Sequence, residues 1–491
     1  MTPRFSASVL CVCLLTAITF AQEPTHEMHH EHAPQGTASK DAPKVFFPMA
    51  DQPEMEMHHH GQIPEVMPQL PHLGNSQRVV TGPTYQLEDL EHMAAEHNPA
   101  LSQAQRAVEA AQATARQSGL YPNPTAGYEG EEIRGGSFGG GEQGFFVEQP
   151  IILGGKLALN RKVGAGAVKQ RQADAEAQRH RLENDVRVAY YHVLAAQERL
   201  ALELDLTSIA QSTVRVVYQL ANVGQQDETE VLEAEAEEQR REIAVDTARN
   251  KLRREWTILL SVTGVPSLPE GSVAGRINAD LPPLDEGQLL ESLLSGSPEV
   301  QSARAGVERA EAILARQQHE PIPDLIVRGG LQKNYEQLAS TSARSVGIQG
   351  FAEIGVQLHL WDRNQGGIAA ARANLEAARN EASRVELMLL QRSAIFTEDY
   401  HTSRRTAERY RAEILPRLER AYQLMTTQYG NMTASFIRVL SLQRMLYENE
   451  TAYVDALEKA WTSSVSLRGF LLQDGLEAPA SAGQRFTTDS H

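Results

Sequence analysis

Two short runs near the N-terminus carry the side chains best suited to chemistry. They are His26-Glu-Met28-His29-His30-Glu-His32 and Met55-Glu-Met57-His58-His59-His60. Thioether and imidazole together suit Cu(I) or Ag(I), whereas imidazole alone also takes Zn(II), Ni(II) or Cu(II). Segment 22–73 holds eight of the 16 histidines and five of the 11 methionines. Methionine adds nothing to a zinc site, so the mixture favours copper or silver. The bland alternative is a solvated polar tail that binds metal adventitiously, as any His-rich tract does. Two other runs match enzyme motifs. Gly135-Gly-Ser137-Phe-Gly139 fits a nucleophile elbow, and Gly139-Gly-Gly141-Glu-Gln-Gly144 fits a dinucleotide fingerprint. Both motifs require a strand leading into a helix. Here strand patterns flank the run on both sides, so it reads as a Gly-rich hairpin loop. No nucleophile–base pattern emerges elsewhere. The chain is expected to be no enzyme and to need no cofactor, with transient copper or silver ions confined to the tail.

The elements around these residues set the class of protein. Aliphatic residues in 22–73 are too few to offset the entropy of ordering, so that tail is expected to be disordered. Both cysteines, Cys11 and Cys13, lie in the apolar run Val9–Ala21, which follows Arg4 and ends in small residues. That run reads as a secretory signal, too short to span a bilayer. Its removal leaves no cysteine for disulfides or thiolate metal sites. Neither cysteine follows a small residue, so no lipid anchor is expected. The 41% apolar and 22% charged composition of the 491 residues suits a folded chain. A net charge of −17 argues against nucleic-acid binding, which needs clustered Lys/Arg. After the signal no run of apolar residues is long enough for a membrane helix. Only strands could carry this chain across a bilayer.

From Thr84 onward long helical patterns dominate. Leu182, Val186, Ala189, Val193, Ala196 and Leu200 alternate steps of four and three, as do Ala371, Leu375, Ala378, Ala382, Val385 and Leu389. This is the narrow seam of a coiled coil, and its alanines permit close helix approach. Ala167 to Val223 and Gln225 to Thr263 lack Gly and Pro, and Ile368 to Tyr429 is interrupted only by Pro416. The first of these stretches would extend roughly 85 Å as a helix, far beyond a small domain's diameter. The chain also repeats itself. Pro99 and Pro298, like Pro124 and Pro323, are 199 residues apart, while Pro150 and His359 mark the next correspondence at 209. The extra residues fall where a loop would absorb them.

Each half carries two weak strand patterns. Ile354, Val356, Leu358 and Leu360 alternate with Glu353, Gly355, Gln357 and His359, with Leu325, Val327 and Leu331 as the partner strand. In the first half Phe145, Val147 and Ile151 alternate with polar or bulky neighbours, and 125–133 pairs with them. Four strands cannot close a barrel, and an open edge in hydrocarbon costs several kcal/mol for each unpaired group. Strands of several chains must then share one barrel, and three chains giving about twelve strands is the smallest comfortable solution. The expected organisation is a signal peptide over 1–21, a His/Met-rich tail and linker over 22–83, repeats over 84–270 and 271–474, and a disordered tail over 475–491.

Tyr85-Gln-Leu-Glu-Asp-Leu, the Asn98-Pro99 corner and Pro122-Asn123-Pro124 follow one another in the first half. Leu360-Trp361-Asp362-Arg363-Asn364-Gln365-Gly366 leads into Ile368-Ala369-Ala370-Ala371 in the second. In this order, from about Thr84 to Leu472, the chain resembles the TolC family of outer-membrane efflux proteins. The second half is most similar to the cobalt-zinc-cadmium and copper/silver exporters. The resemblance implies a mainly α fold with a small β part. Its form would be a homotrimer whose four strands per chain build a twelve-stranded outer-membrane β-barrel among lipid, continuing into a coiled-coil α-helical barrel in the periplasm. It also implies docking to a periplasmic adaptor and an inner-membrane, proton-driven RND-type pump. The adaptor-facing hairpin turns match Asn222-Val223-Gly224 and Tyr429-Gly430, where glycine would supply a positive φ or close approach. Family channels commonly carry a carboxylate before a Val-Leu pair at the constriction. The matching position is Arg438, before Val439-Leu440, and Glu228 and Glu230 are the nearest acidic substitutes.

The expected function is a passive channel exporting heavy-metal cations, with copper or silver favoured by the tail. A channel for drugs or secreted proteins with an incidental tail is one alternative, separable by metal-sensitivity profiling. A soluble periplasmic metal-binding or adaptor coiled coil is another, separable by cell fractionation.

Overall fold

The computed structural model describes residues 82–133, 141–224, 227–338, 344–431 and 433–476. Both His/Met clusters, the signal segment and Ser137 of the Gly-rich run lie outside the described residues. In chain order the first half contains β1 (Thr84–Tyr85), α1 (Leu87–His97), α2 (Pro99–Ser118), β2 (Thr125–Glu131), β3 (Glu142–Ile151), α3 (Lys156–Asn222) and α4 (Glu228–Thr263). The second contains β4 (Ser272–Val273), α5 (Glu286–Gly296), α6 (Pro298–His319), β5 (Leu325–Leu338), β6 (Arg344–Val356), α7 (Gln365–Arg409), a π-helical turn (Tyr410–Ile414), α8 (Leu415–Gly430) and α9 (Phe436–Arg468). A short strand, a helix pair, a strand pair and a long helical hairpin thus recur in the same order.

The helix corners follow from their sequences. Asn98 ends α1 and caps α2: its side chain accepts from the Ala100 N–H at 2.9 Å and donates to the Val262 carbonyl at 2.7 Å. Pro99 opens α2 with the φ that a first helical residue needs, and Pro298 does the same for α6. β1 and β4 pair in parallel, tying the start of one half to the start of the other.

α3 has 67 residues and extends about 100 Å. All six seam residues from Leu182 to Leu200 are buried. They join Leu90 of α1, Trp256 and Leu259 of α4, and Tyr453 and Val454 of α9 in one cluster. The helix begins at Lys156, not at Ala167, and runs through Gly164 and Gly166. A Cβ on Gly164 would lie 2.7 Å from the Ala115 Cβ, and one on Gly166 would lie 2.9 Å from the Arg309 Cβ. These glycines admit close packing against α2 and α6, which outweighs their poor helix propensity. In the second half the interruption takes the form of the π turn immediately before Pro416. Proline lacks the N–H for the carbonyl four residues back and crowds it, and the wider turn relieves both defects.

β2, β3, β5 and β6 form an antiparallel sheet in that order, so the two halves meet where β3 pairs with β5. β2 and β6 are its edges among the described residues. The alternation expected to run through Leu358 and Leu360 stops at Val356. There the chain turns, with the Leu360 N–H bonded to the Leu358 carbonyl at 3.1 Å and Trp361 87% exposed. β2 and β3 flank the Gly-rich run as a hairpin, so neither enzyme motif has the helix it requires.

Candidate functional site

The strand registers give the sheet two unlike faces. On one, Tyr128, Phe145, Leu331 and Gly350 stand in a row, and Ala126, Val147, Gly329 and Ala352 in the next. Val327 with Ile354, and Leu325 with Val356, extend the band past Gln149, and its other end is the row Gln143–Lys333–Ile348, where the Lys333 ammonium lies 4.7 Å from the centre of the Tyr335 ring. This apolar face is the uncovered one: Phe145 is 72% and Ile348 78% exposed. At one end of the opposite face lie Pro150, Ile326 and Gly355, and beyond them it carries four rows that cross all four strands. They are Thr125–Glu148–Arg328–Glu353, Gly127–Phe146–Gly330–Phe351, Glu129–Gly144–Gln332–Gln349 and Glu131–Glu142–Asn334–Gly347. A sheet built for water would cover its apolar face and leave the polar one free. Here the polarity is reversed, as in strands with hydrocarbon outside and water inside.

Glu148 and Glu353 stand in the alternating patterns of the sequence, but Glu129, Glu131 and Glu142 of the polar face were missed there. β2 contributes Glu129 and Glu131 from a stretch that also holds Gly127 and Gly130, so period two is hard to see before register aligns it with its neighbours. Asn334 donates to Glu142 at 2.6 Å, and Gln332 donates to the same carboxylate.

The two long hairpins end in a shared apolar cluster. Val217 of α3, Val231 and Ala234 of α4, Tyr422 and Tyr429 of α8, and Phe436, Val439 and Leu440 of α9 build it. Asn222, Val223 and Gly224 are exposed at the first turn, and Gly224 has a φ of +76°. The second turn departs from expectation. Tyr429 is 7% exposed and packs near Phe436, with ring centroids 6.2 Å apart. Gly430 is the last residue of α8, has no positive φ, and has open space where a Cβ would stand. Glycine is therefore required at the first turn only, and Tyr429 contributes core, not surface.

Glu228 is exposed in the first turn of α4, where a negative charge suits the helix dipole. Glu230 is half-buried, with one carboxylate oxygen lacking a hydrogen bond. Burial, then Asp227 and Glu233, raise its pKa above the usual carboxylate range. Arg438 is exposed in the first turn of α9, beside buried Val439 and Leu440. The shared cluster brings these three residues to one end of the helices.

Farther from the turns, polar groups tie the hairpins together. Glu237 of α4 accepts from Arg241 at 2.9 Å and from Arg444 of α9 at 2.6 Å. The Arg241 guanidinium lies 4.7 Å from the centre of the Tyr447 ring, and the Tyr447 hydroxyl donates to Glu203 of α3. Burial, reinforced by Glu203, pushes the Tyr447 pKa up to about 12, so it stays a donor at physiological pH. Glu450 of α9 is 3% exposed. Burial first, then Glu419 of α8 with Asp205 and Glu198 of α3, push its pKa up to about 8. Among the described residues no group of three His, Asp or Glu is placed to hold a metal, and none of their helices is long and apolar enough to cross a membrane.

Known proteins resemble this chain in sequence and in fold. The family model described as "Outer membrane efflux protein" matches residues 90–265 and 289–471. The chain is 24% identical over 381 residues to the cobalt-zinc-cadmium resistance protein CzcC of Cupriavidus metallidurans, covering 78% of this chain and 88% of that one. It is 25% identical over 293 residues to the nickel-cobalt-cadmium resistance protein NccC of Alcaligenes xylosoxydans, covering 59% and 64%. The crystal structure of CusC, described in terms of transmembrane channel formation, superposes with a TM-score of 0.67 at 16% identity, covering 85% of this chain and 99% of that one.

Proposed function

We propose, because this chain belongs to the outer membrane efflux protein family, that it forms the exit duct of a heavy-metal efflux system in the outer membrane. The observation that carries this reading is the four-stranded sheet, apolar on its exposed face and acidic on the other, with its edges β2 and β6 unpaired among the described residues. In hydrocarbon each open edge leaves backbone groups unpaired at several kcal/mol apiece, so edge must meet edge of another copy. Three copies close a barrel of about twelve strands. The recurring order of elements supports two tandem repeats, over 84–270 and 271–474.

The duct is passive, as befits a family of channels and not of enzymes. Its helical hairpins extend into the periplasm. There the turn at Asn222–Gly224, and the second turn at Gly430 beside buried Tyr429, meet an adaptor coupled to an RND-type pump, and Glu228, Glu230 and Arg438 border the narrow end. The substrates are heavy-metal cations. The names of CzcC and NccC point to cobalt, zinc, cadmium and nickel. The His/Met clusters at 26–32 and 55–60 add a case for copper or silver, because only a soft ion gains from methionine. A deletion strain tested against a panel of metals decides between them. Hypersensitivity to copper and silver supports the tail as a capture segment, and hypersensitivity to cobalt, zinc and cadmium alone makes it incidental. Sensitivity confined to organic toxins contradicts metal export.

A further inference from the structure

We infer that Arg328, held in a charge-compensated stack on the polar face of the sheet, tunes the ion preference that the acids of that face give the barrel; this rests on the reading of that face as the wall of a water-filled lumen. Within its four rows, Arg328 is the one cation among the described residues, against Glu129, Glu131, Glu142, Glu148 and Glu353. It is not free. Its Nη2 lies 2.7 Å from Glu129 and its Nη1 3.8 Å from Glu353, and its register neighbour on β3 is Glu148. The guanidinium sits 4.2 Å from the centre of the Phe146 ring and 5.8 Å from that of Phe351.

The backbone is cut to fit this stack. Phe146 stands opposite Gly127, and Phe351 opposite Gly330. A Cβ on Gly127 would come within 2.6 Å of the Phe146 ring, and one on Gly330 within 2.8 Å of the Phe351 ring. Each ring can therefore lie across a glycine and flank the guanidinium. Cation–π contact and the two carboxylates hold the charge against the wall and neutralise it locally.

Selectivity follows from what is left over. With Arg328 matched, the remaining acids of the face are uncompensated. A low-dielectric tube focuses their field on the ions inside it. Three copies repeat the pattern around one lumen, whose charges act across a Debye length of about 8 Å at physiological salt. The lumen then concentrates cations and excludes anions, and the Arg328 pairs are its adjustable element. Arg438 gives this weight, because at the position where the resemblance implies an acidic constriction the chain carries a positive charge.

The test uses the full chain in planar bilayers under a KCl gradient, reading the K⁺/Cl⁻ permeability ratio from the reversal potential. Wild type is expected to prefer K⁺. Glu129→Gln with Glu353→Gln unmasks the guanidinium and lowers the ratio several-fold, and Glu353→Gln alone lowers it less. Arg328→Gln releases both carboxylates and raises it several-fold. Arg328→Lys retains the charge and stays near wild type, so a shift there as large as that of Arg328→Gln contradicts a charge mechanism. Conducting channels with one unchanged ratio across all variants overturn this inference and leave the duct intact. A wild type that never conducts overturns the lumen reading, and this inference with it.

Discussion

α3 runs unbroken for 67 residues, whereas its counterpart in the second half reaches the same apolar cluster as two helices, α7 and α8, joined by the π turn at Tyr410–Ile414. Both follow the same four-three seam. In α3 all six seam residues are buried, while in α7 Ala378 and Ala382 stay half-buried within the protomer. The difference shows how one imino acid redirects a recurring order of elements. Pro416 forces a wider turn; Tyr410, which opens that turn, packs against the core cluster, and Leu415, just after it, belongs to the cluster. The acidic cluster around Glu450 involves α8 just beyond the turn, through Glu419. The first hairpin is held by continuity, and the second combines a bend with a buried titratable group.

The comparison breaks most sharply at the α3 seam. Val193 is fully buried, and Val193→Asp places an unpaired charge there, with an expected loss of about 4–5 kcal/mol or failure to assemble. Thermal unfolding checks this, and a near-wild-type melting temperature would remove the seam as the source of the first hairpin's stability.

The second hairpin should instead respond to pH. Folding raises the Glu450 pKa from 4.5 to about 8. The folded state therefore holds a proton that the unfolded state has released. Stability is greatest below the unfolded value, falls as pH rises between the two values, and levels off above the folded one. At about 1.4 kcal/mol per pH unit, the loss amounts to a few kcal/mol. Glu450→Gln should flatten this slope and melt above wild type at alkaline pH. Parallel pH–stability curves for the two proteins would contradict the assignment.

The smallest effects separate the two turns. Gly224→Ala forces a left-handed residue and should cost about 1–2 kcal/mol. Gly430→Ala fills open space at a helix end and should be neutral or gain up to about 1 kcal/mol. Equal costs in denaturant melts would mean that both turns require glycine after all.

Much of this was legible in the sequence, because local periodicity survives where elements are long. The seams, the Asn98-Pro99 and Ser297-Pro298 corners, and a strand through Leu325, Val327 and Leu331 could be read from spacing, while the strand expected over 125–133 left only a weak pattern. What escaped depends on partners distant in sequence. Gly164 and Gly166 look like helix breakers until α2 and α6 are packed against them. β6 begins at Arg344, but Gly347, Gly350 and Ala352 blur its alternation, while Leu358 and Leu360 prolong the pattern past its end. The acids of the sheet form one surface only after register joins strands from both halves. Glu203 and Tyr447 meet across 244 residues, a pairing that no local pattern announces.

The most direct test of the central claim combines mass and conductance on one preparation. Purified full-length protein in detergent should have the mass of three protomers and, inserted into a planar bilayer, should open discrete ion-conducting channels. A monomeric sample that leaves the bilayer silent would contradict the account.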